Sequence, residues 1–303
     1  MKMKLIPRTK LIYKFSPWNK PVERASPGEF LIFETIDALG GQIKDESTTL
    51  DSIDWGKVNG STGPVYIEGA EPGDTLIVDI LDIRVDNRGV IVIVPGHGIL
   101  GKRKEYKPKV KIVNIEGNFV YFNGTKVKVR PMIGTIGVAP ADEEIPCGSL
   151  GRHGGNMDVK ELGTGTRLYL PVFVDGALLA MGDLHAVQAD GELCVSAVEV
   201  SGQVIVRVDL IKGKSVPWPI LETSDAFQVL ACADTLESAC EVASEAAVNA
   251  ISKALGIPFE KAYMLASLVV DLKINQVVDP RKGVRAVIPK EIVDNIEYFL
   301  CKP

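Results

Sequence analysis

The chain contains three histidines in 303 residues, and two of them, His153 and His185, stand at the edges of one apolar segment, each near a carboxylate. The stretch GDLHAVQADGE places Asp183 and His185 two residues apart. In an extended strand both side chains then project from one face. Such a pair offers an oxygen and a nitrogen ligand to one Zn²⁺ or similar ion. Asp190 and Glu192 repeat the spacing beyond an expected turn, and a hairpin there would aim all four groups into one pocket. The competing reading is a hydrogen-bonded histidine beside a polar turn.

Upstream, CGSLGRHGGNMDVKELGTGT carries six glycines between positions 148 and 165, more than a passive linker requires. Glycine lets the backbone approach a ligand closely. A loop of this kind can present N–H groups to an oxyanion. His153 and Asp158 in that setting read as site residues, with a surface loop as the alternative. Asp37, three residues before Gly40-Gly41, and Glu68, in IEGAEPGD, are further candidate ligands or bases. For Glu68 a turn-flanking role is the plainer reading. His97 in VPGHGILG and Cys147 in CGSLG read as loop residues.

These residues need a scaffold. From residue 1 to 212, short Val-, Ile- and Leu-rich runs alternate with Gly, Pro and Asp, and NIEGN and FNGTKV read as hairpin turns. The expectation is a mainly β, sandwich- or barrel-like body carrying the site. Residues 213–303 change texture to an α/β portion packed on that body, α+β overall. It comprises a helix over 234–256 with Asp234 at its start, a second over 258–278 opened by Pro258, the strand VRAVIP, and a final helix KEIVDNIEYFL.

A net charge of −5 argues against a nucleic-acid partner, and KRKEYKPKVK (102–111) reads as a solvated loop. No targeting segment or membrane-length apolar run is expected. Five scattered cysteines without C-x-x-C suggest neither a disulfide framework nor a thiolate zinc site, and a reducing cytoplasm is the simplest location. Neither a G-x-S-x-G elbow nor a phosphate-binding G-x-x-x-x-G-K-[ST] is present.

Laid end to end, TIDALGGQI, GPVYIEGAEPGDTL, VPGHGILG, IGTIGVAPA, the long block GRHGGNMDVKELGTGTRLYLPVFVDGALLAMGDLHAVQADGE and AVEVSGQVIVRVDLI resemble the acetamidase/formamidase family, in the family's order and across most of the chain. The resemblance implies hydrolysis of short aliphatic amides to carboxylate and ammonia, a largely β fold, metal dependence in at least some members, and a homodimer.

An amide carbonyl is a weak electrophile, and a divalent metal both polarises it and acidifies a water. The expected metal site is His153, Asp183 and His185, with Asp37 or Asp158. Zn²⁺ is the first expectation for the ion and Ca²⁺ an alternative. Glu68 or Glu192, with Asp190 nearby, would transfer protons. Gly154, Gly155 and Asn156 would bind the substrate oxygen. The competing classes are a metal-bearing β-sandwich that binds a small polar ligand, and a hydrolase of another C–N bond.

Overall fold

Along Phe30–Thr35 and Glu199–Ile211 every second side chain is buried. This period of two is what places one face of a strand on a core and the other toward solvent. Residues 3–103 and 105–302 are described by the computed structural model; Lys104 of the basic stretch lies outside them. Among the described residues, 19 strands join in one hydrogen-bonded sheet, with a two-stranded ribbon beside it. The sheet wraps the main apolar core, in which Phe33, Val65, Val78, Leu170, Met181 and Val204 are fully buried.

Its spine is the strand Thr75–Ile93, which pairs antiparallel with Glu199–Ile211, Arg167–Pro171 and Lys109–Glu116. The sequence reads as two strands here, separated at Asn87 and Gly89. The structure runs through them: Gly89 stays in the ladder opposite Val200, and its missing side chain leaves room for Val198 just before that paired strand. The hairpins expected at NIEGN and FNGTKV form, whereas one between Asp183–His185 and Asp190–Glu192 does not, because His185 pairs instead with Glu199 beyond a longer loop. Phe119–Phe122 and Thr125–Lys128 pair through Asn123-Gly124, both at positive φ.

Five strands matter for the site. Leu179–His185 is flanked by Met132–Gly137 on one side and by Ser61–Ile67 and the start of Glu199–Ile211 on the other. The short strand Gly154–Asn156 lies against Met132–Gly137.

The C-terminal portion continues the sheet, with Ile220–Glu222 pairing with Arg167–Tyr169. Helix α1 (Leu236–Leu255) is capped by the Thr235 hydroxyl and closed by Gly256 in the left-handed conformation. Its buried alanines, Ala239, Ala243, Ala247 and Ala250, fill a second core with Phe227, Ile288 and Phe299. Helix α2 (Phe259–Val269) is shorter than expected. Residues Asp271–Gln276 instead form a strand against Lys282–Pro289. The expected final helix is a single 3₁₀ turn, Ile296–Tyr298, capped by Asn295. The mainly β body with an α/β tail is the observed class.

Candidate active site

His185 ends the strand Leu179–His185, with Met132 as its register partner on one side and Glu199 on the other. Its Nε2 lies 3.1 Å from Asp183 Oδ1 and 3.1 Å from Glu199 Oε2. Its Nδ1 lies 2.7 Å from Gln188 Oε1, while Gln188 Nε2 donates to the Asp158 carbonyl at 2.9 Å. That second bond orients the Gln188 amide, so its oxygen faces His185 and Nδ1 carries the proton. Nε2 faces the acids: it gives them its proton while the imidazole is charged, and offers its lone pair to a cation once that proton is displaced.

Asp158, Asp183 and His185 form one group of donors within 4.8 Å of one another, and His185, Glu192 and Glu199 form another. All five residues are buried. Both Asp158 carboxylate oxygens and Glu199 Oε2 lack a hydrogen-bond partner. Glu199 Oε1 is held by the Ala197 amide at 2.8 Å and the Ser196 hydroxyl at 3.2 Å, which leaves Oε2 aimed at His185.

The backbone is bent to make this cluster. Asp158, Asp183 and Glu192 take φ values of 49°, 54° and 46°. Each such non-glycine residue costs about 1–3 kcal/mol, so the surrounding sheet must impose it. Gly134 opens the space: a Cβ there would stand 2.6 Å from Asp183 Oδ2 and 2.9 Å from Asp158 Oδ1.

Among the described residues His185 is the one cationic group that pairs with any of these four acids, reaching Asp158, Asp183 and Glu199. Burial, then the neighbouring Asp158 charge, pushes the Glu192 carboxyl well up. Burial and the Asp183 charge do the same to Asp158. Burial also raises Glu199. For His185 burial acts downward, but the charges of Glu199 and Asp183 override it and hold the imidazole well above its ordinary value. Buried, like-charged and unpaired carboxylates at this density call for a cation.

The cluster forms one end of a cavity of about 1290 Å³, reached by Asn156, Asp183, Glu192, Glu199 and Asp279. Asn156 Nδ2 donates to Asp279 Oδ2 at 3.1 Å, and the Thr135 hydroxyl lies 2.8 Å from Asn156 Oδ1 and 3.2 Å from Asp183 Oδ2. Burial, with the Asp183 charge adding to it, pushes Asp279 up to about 7.

Of the residues singled out from the sequence, Asp158, Asp183, His185, Glu192 and Asn156 come together here. Others do not. His153 is buried in an edge-to-face contact with Phe15, ring centroids 5.1 Å apart, and belongs to neither donor group. The two imidazoles therefore do not converge, because His153 precedes the glycine strand at the end remote from Asp158. Asp37 instead braces a turn, its Oδ1 accepting from the Leu39 and Gly41 amides. Glu68 is exposed and paired with Arg24 at 3.1 Å. Asp190 is drawn away from the cluster by Lys160 at 2.6 Å and Arg285 at 2.8 Å. Gly154 and Gly155 lie in a strand laddered on both sides, to Ile136 and Gly137 and to Leu150 and Gly151, and of this glycine-rich stretch it is Gly148 that lines the cavity. His97 is exposed at the cavity rim. Glu199, Gln188, Thr135, Gly134 and Asp279 escape the sequence reading. For Glu199 a signal exists: it is the acid inside the otherwise apolar run AVEVSGQVIV.

The acetamidase/formamidase family model matches residues 8–147 and 144–295. The crystal structure of an acetamidase from Bacillus halodurans superposes with a TM-score of 0.92 at 40% identity, over 95% of this chain and 97% of that one. A predicted acetamidase/formamidase from Thermoanaerobacter tengcongensis gives a TM-score of 0.93 at 39% identity, over 98% of both chains. A formamidase of Methylophilus methylotrophus is 27% identical over 260 residues, 63% of this chain and 61% of that protein. An enclosed imidazole–carboxylate site in a mainly β sheet, matched over this length, defines the class. The chain belongs to the acetamidase/formamidase family. It spans about 61% of the length of the first curated relatives it matches.

Proposed function

We propose that the chain hydrolyses short aliphatic amides to the carboxylate and ammonia, with a divalent cation held by Asp158, Asp183, His185 and Glu199. The observation that carries the reading is the buried group of acids around one imidazole, with Asp158 Oδ1 and Oδ2 lacking hydrogen bonds and Glu199 Oε2 paired with the imidazole alone, at the end of an open cavity. The names of the relatives, acetamidase and formamidase, support the amide class.

The donor set fits a divalent ion. One imidazole among several carboxylates suits Zn²⁺ and extends to Mn²⁺, Fe²⁺ and Ca²⁺. Such an ion supplies Lewis acidity toward the carbonyl and brings the pKa of a water down to about 7. The chain's own residues do the rest. Asn156, on the cavity wall, has a second amide hydrogen beyond the one given to Asp279, and in this reading donates it to the carbonyl oxygen. Glu192, held by its surroundings as a weak acid, takes the proton from the attacking water and returns it to the nitrogen as the C–N bond breaks. Gln188 keeps the His185 ring in one orientation throughout.

The test is metal analysis of protein purified without chelator, with ammonia release from formamide, acetamide and propionamide measured before and after chelation. Full activity in metal-free protein removes the cation from the reading. Release from none of the three removes the amidase.

A homodimer is also proposed; Tyr263, Met264 and Leu268, 58–81% exposed on α2, are an apolar surface that association would cover, and light scattering tests it. A reducing compartment such as the cytoplasm is proposed on the five free cysteines. No described helix is long and apolar enough to cross a membrane.

A further inference from the structure

The acids occupy one end of a cavity of about 1290 Å³, whereas pockets for drug-sized ligands run to roughly 300–1,000 Å³. A substrate as small as acetamide leaves most of that space unfilled. Much of the remaining wall is apolar, with Leu39, Leu50, Val58, Val92, Val94 and Val110 along it, interrupted by Ser47, Thr48, Thr49 and Asn59. They belong to a satellite core with Ile43, Ile53 and Val90, separate from the main one. Away from the acidic end, the charged residues of the cavity, Lys14, Glu46, Asp51 and Lys109, are exposed.

This wall is braced from within. Asp37 Oδ1 accepts from the Leu39 and Gly41 amides at 3.0 and 3.1 Å. Gln42 Nε2 donates to the Leu39 and Asp54 carbonyls, and its Oε1 accepts from the Asp54 amide at 2.8 Å. The Asn59 amide closes the loop onto the Ala38 carbonyl at 2.7 Å. The buried Asp37 therefore serves to present Leu39 and its neighbours, and the apolar wall stands ready without rearrangement.

Resting on the amidase reading of the acidic end, we propose that the preferred substrates are primary amides with an apolar acyl group of about five to eight carbons. The carboxamide lies among Asp183, Glu192 and Glu199, and the hydrocarbon lies on Leu39, Leu50 and Val92. Each methylene taken from water onto that wall raises kcat/KM roughly fourfold.

The experiment is ammonia release from acetamide, butanamide, hexanamide and phenylacetamide under one set of conditions. The expected result is a kcat/KM that climbs roughly fourfold per methylene as far as hexanamide. The hexanamide-to-acetamide ratio falls severalfold in Leu50→Ser and in Val94→Ser, each ratio read within one protein. A kcat/KM that stays flat or drops with chain length, while acetamide is turned over, overturns this proposal alone. Release from no member of the series overturns the amidase reading and this proposal with it.

Discussion

His185 and Glu199 face each other as register partners across two antiparallel strands, with Nε2 3.1 Å from Oε2. Glu199 gives its other oxygen to the Ala197 amide and the Ser196 hydroxyl, so Oε2 has no partner except the imidazole and whatever cation the group holds. Glu199→Gln keeps the shape and removes one charge. Bound divalent metal is expected to fall below one equivalent, and kcat/KM for acetamide by at least about 10-fold to 100-fold. Elemental analysis and ammonia release check both, and undiminished metal in the variant would exclude Glu199 as an essential ligand.

Gly134 has no side chain because the carboxylates of Asp183 and Asp158 occupy its Cβ position, at 2.6 and 2.9 Å. Its neighbours are backbone and buried acids rather than flexible side-chain ends. Gly134→Ala is expected to cost about 1–3 kcal/mol by overpacking and to displace Asp183. Activity and metal content should collapse while the far-ultraviolet circular dichroism stays that of a β protein. Normal activity in this variant would mean the acids move aside freely.

Glu192 carries proton transfer in the proposed reaction. Glu192→Gln preserves the hydrogen-bonding outline and is expected to lower kcat by about 10²–10⁴ with little change in folding stability. A kcat within twofold of the parent would assign the transfer to another group, with Asp279 on the cavity wall the next candidate.

His153 links pH to stability. Burial, with the Arg281 charge adding to it, depresses its pKa from 6.5 to about 4. Between those values the unfolded chain binds a proton that the folded chain does not, so stability rises with pH across the window. The contribution is complete above pH 6.5 and is lost as pH falls toward 4, about 3 kcal/mol in all. Urea unfolding between pH 4 and 7 should show this slope in the parent and a shallower one in His153→Leu. Equal slopes would mean the ring titrates normally in the folded protein.

Arg285 is wholly buried, with Asp190 Oδ1 at 2.8 Å, Glu161 Oε2 at 3.0 Å and Asn275 Oδ1 at 2.8 Å. It fastens the loop before Glu192 to the C-terminal strands, as does the Gly191 amide donating to the Asn275 carbonyl at 2.9 Å. Arg285→Ala leaves two acids without their buried partner and is expected to cost about 3–5 kcal/mol, read by urea unfolding. A loss under 1 kcal/mol would show that water reaches those carboxylates.

Much of this architecture could be read along the chain. Alternating hydrophobicity located the β body, Asn123-Gly124 its hairpin, and Gly256 the end of α1. The spacing singled out Asp183 and His185, and ring and carboxylate do meet at 3.1 Å, although through the left-handed backbone of Asp183 at φ 54° rather than an extended strand. These are local relations, set by backbone periods and turn conformations that a few neighbouring residues dictate. The partners of that pair were not local. Glu199 arrives through strand register, Asp158 and Glu192 through positive φ imposed by the surrounding sheet, and Asp279 from the C-terminal portion. His153, so like His185 in its sequence setting, is turned onto Phe15. Register and such strained turns are chosen by what the whole core buries, and that choice is not encoded in any short stretch.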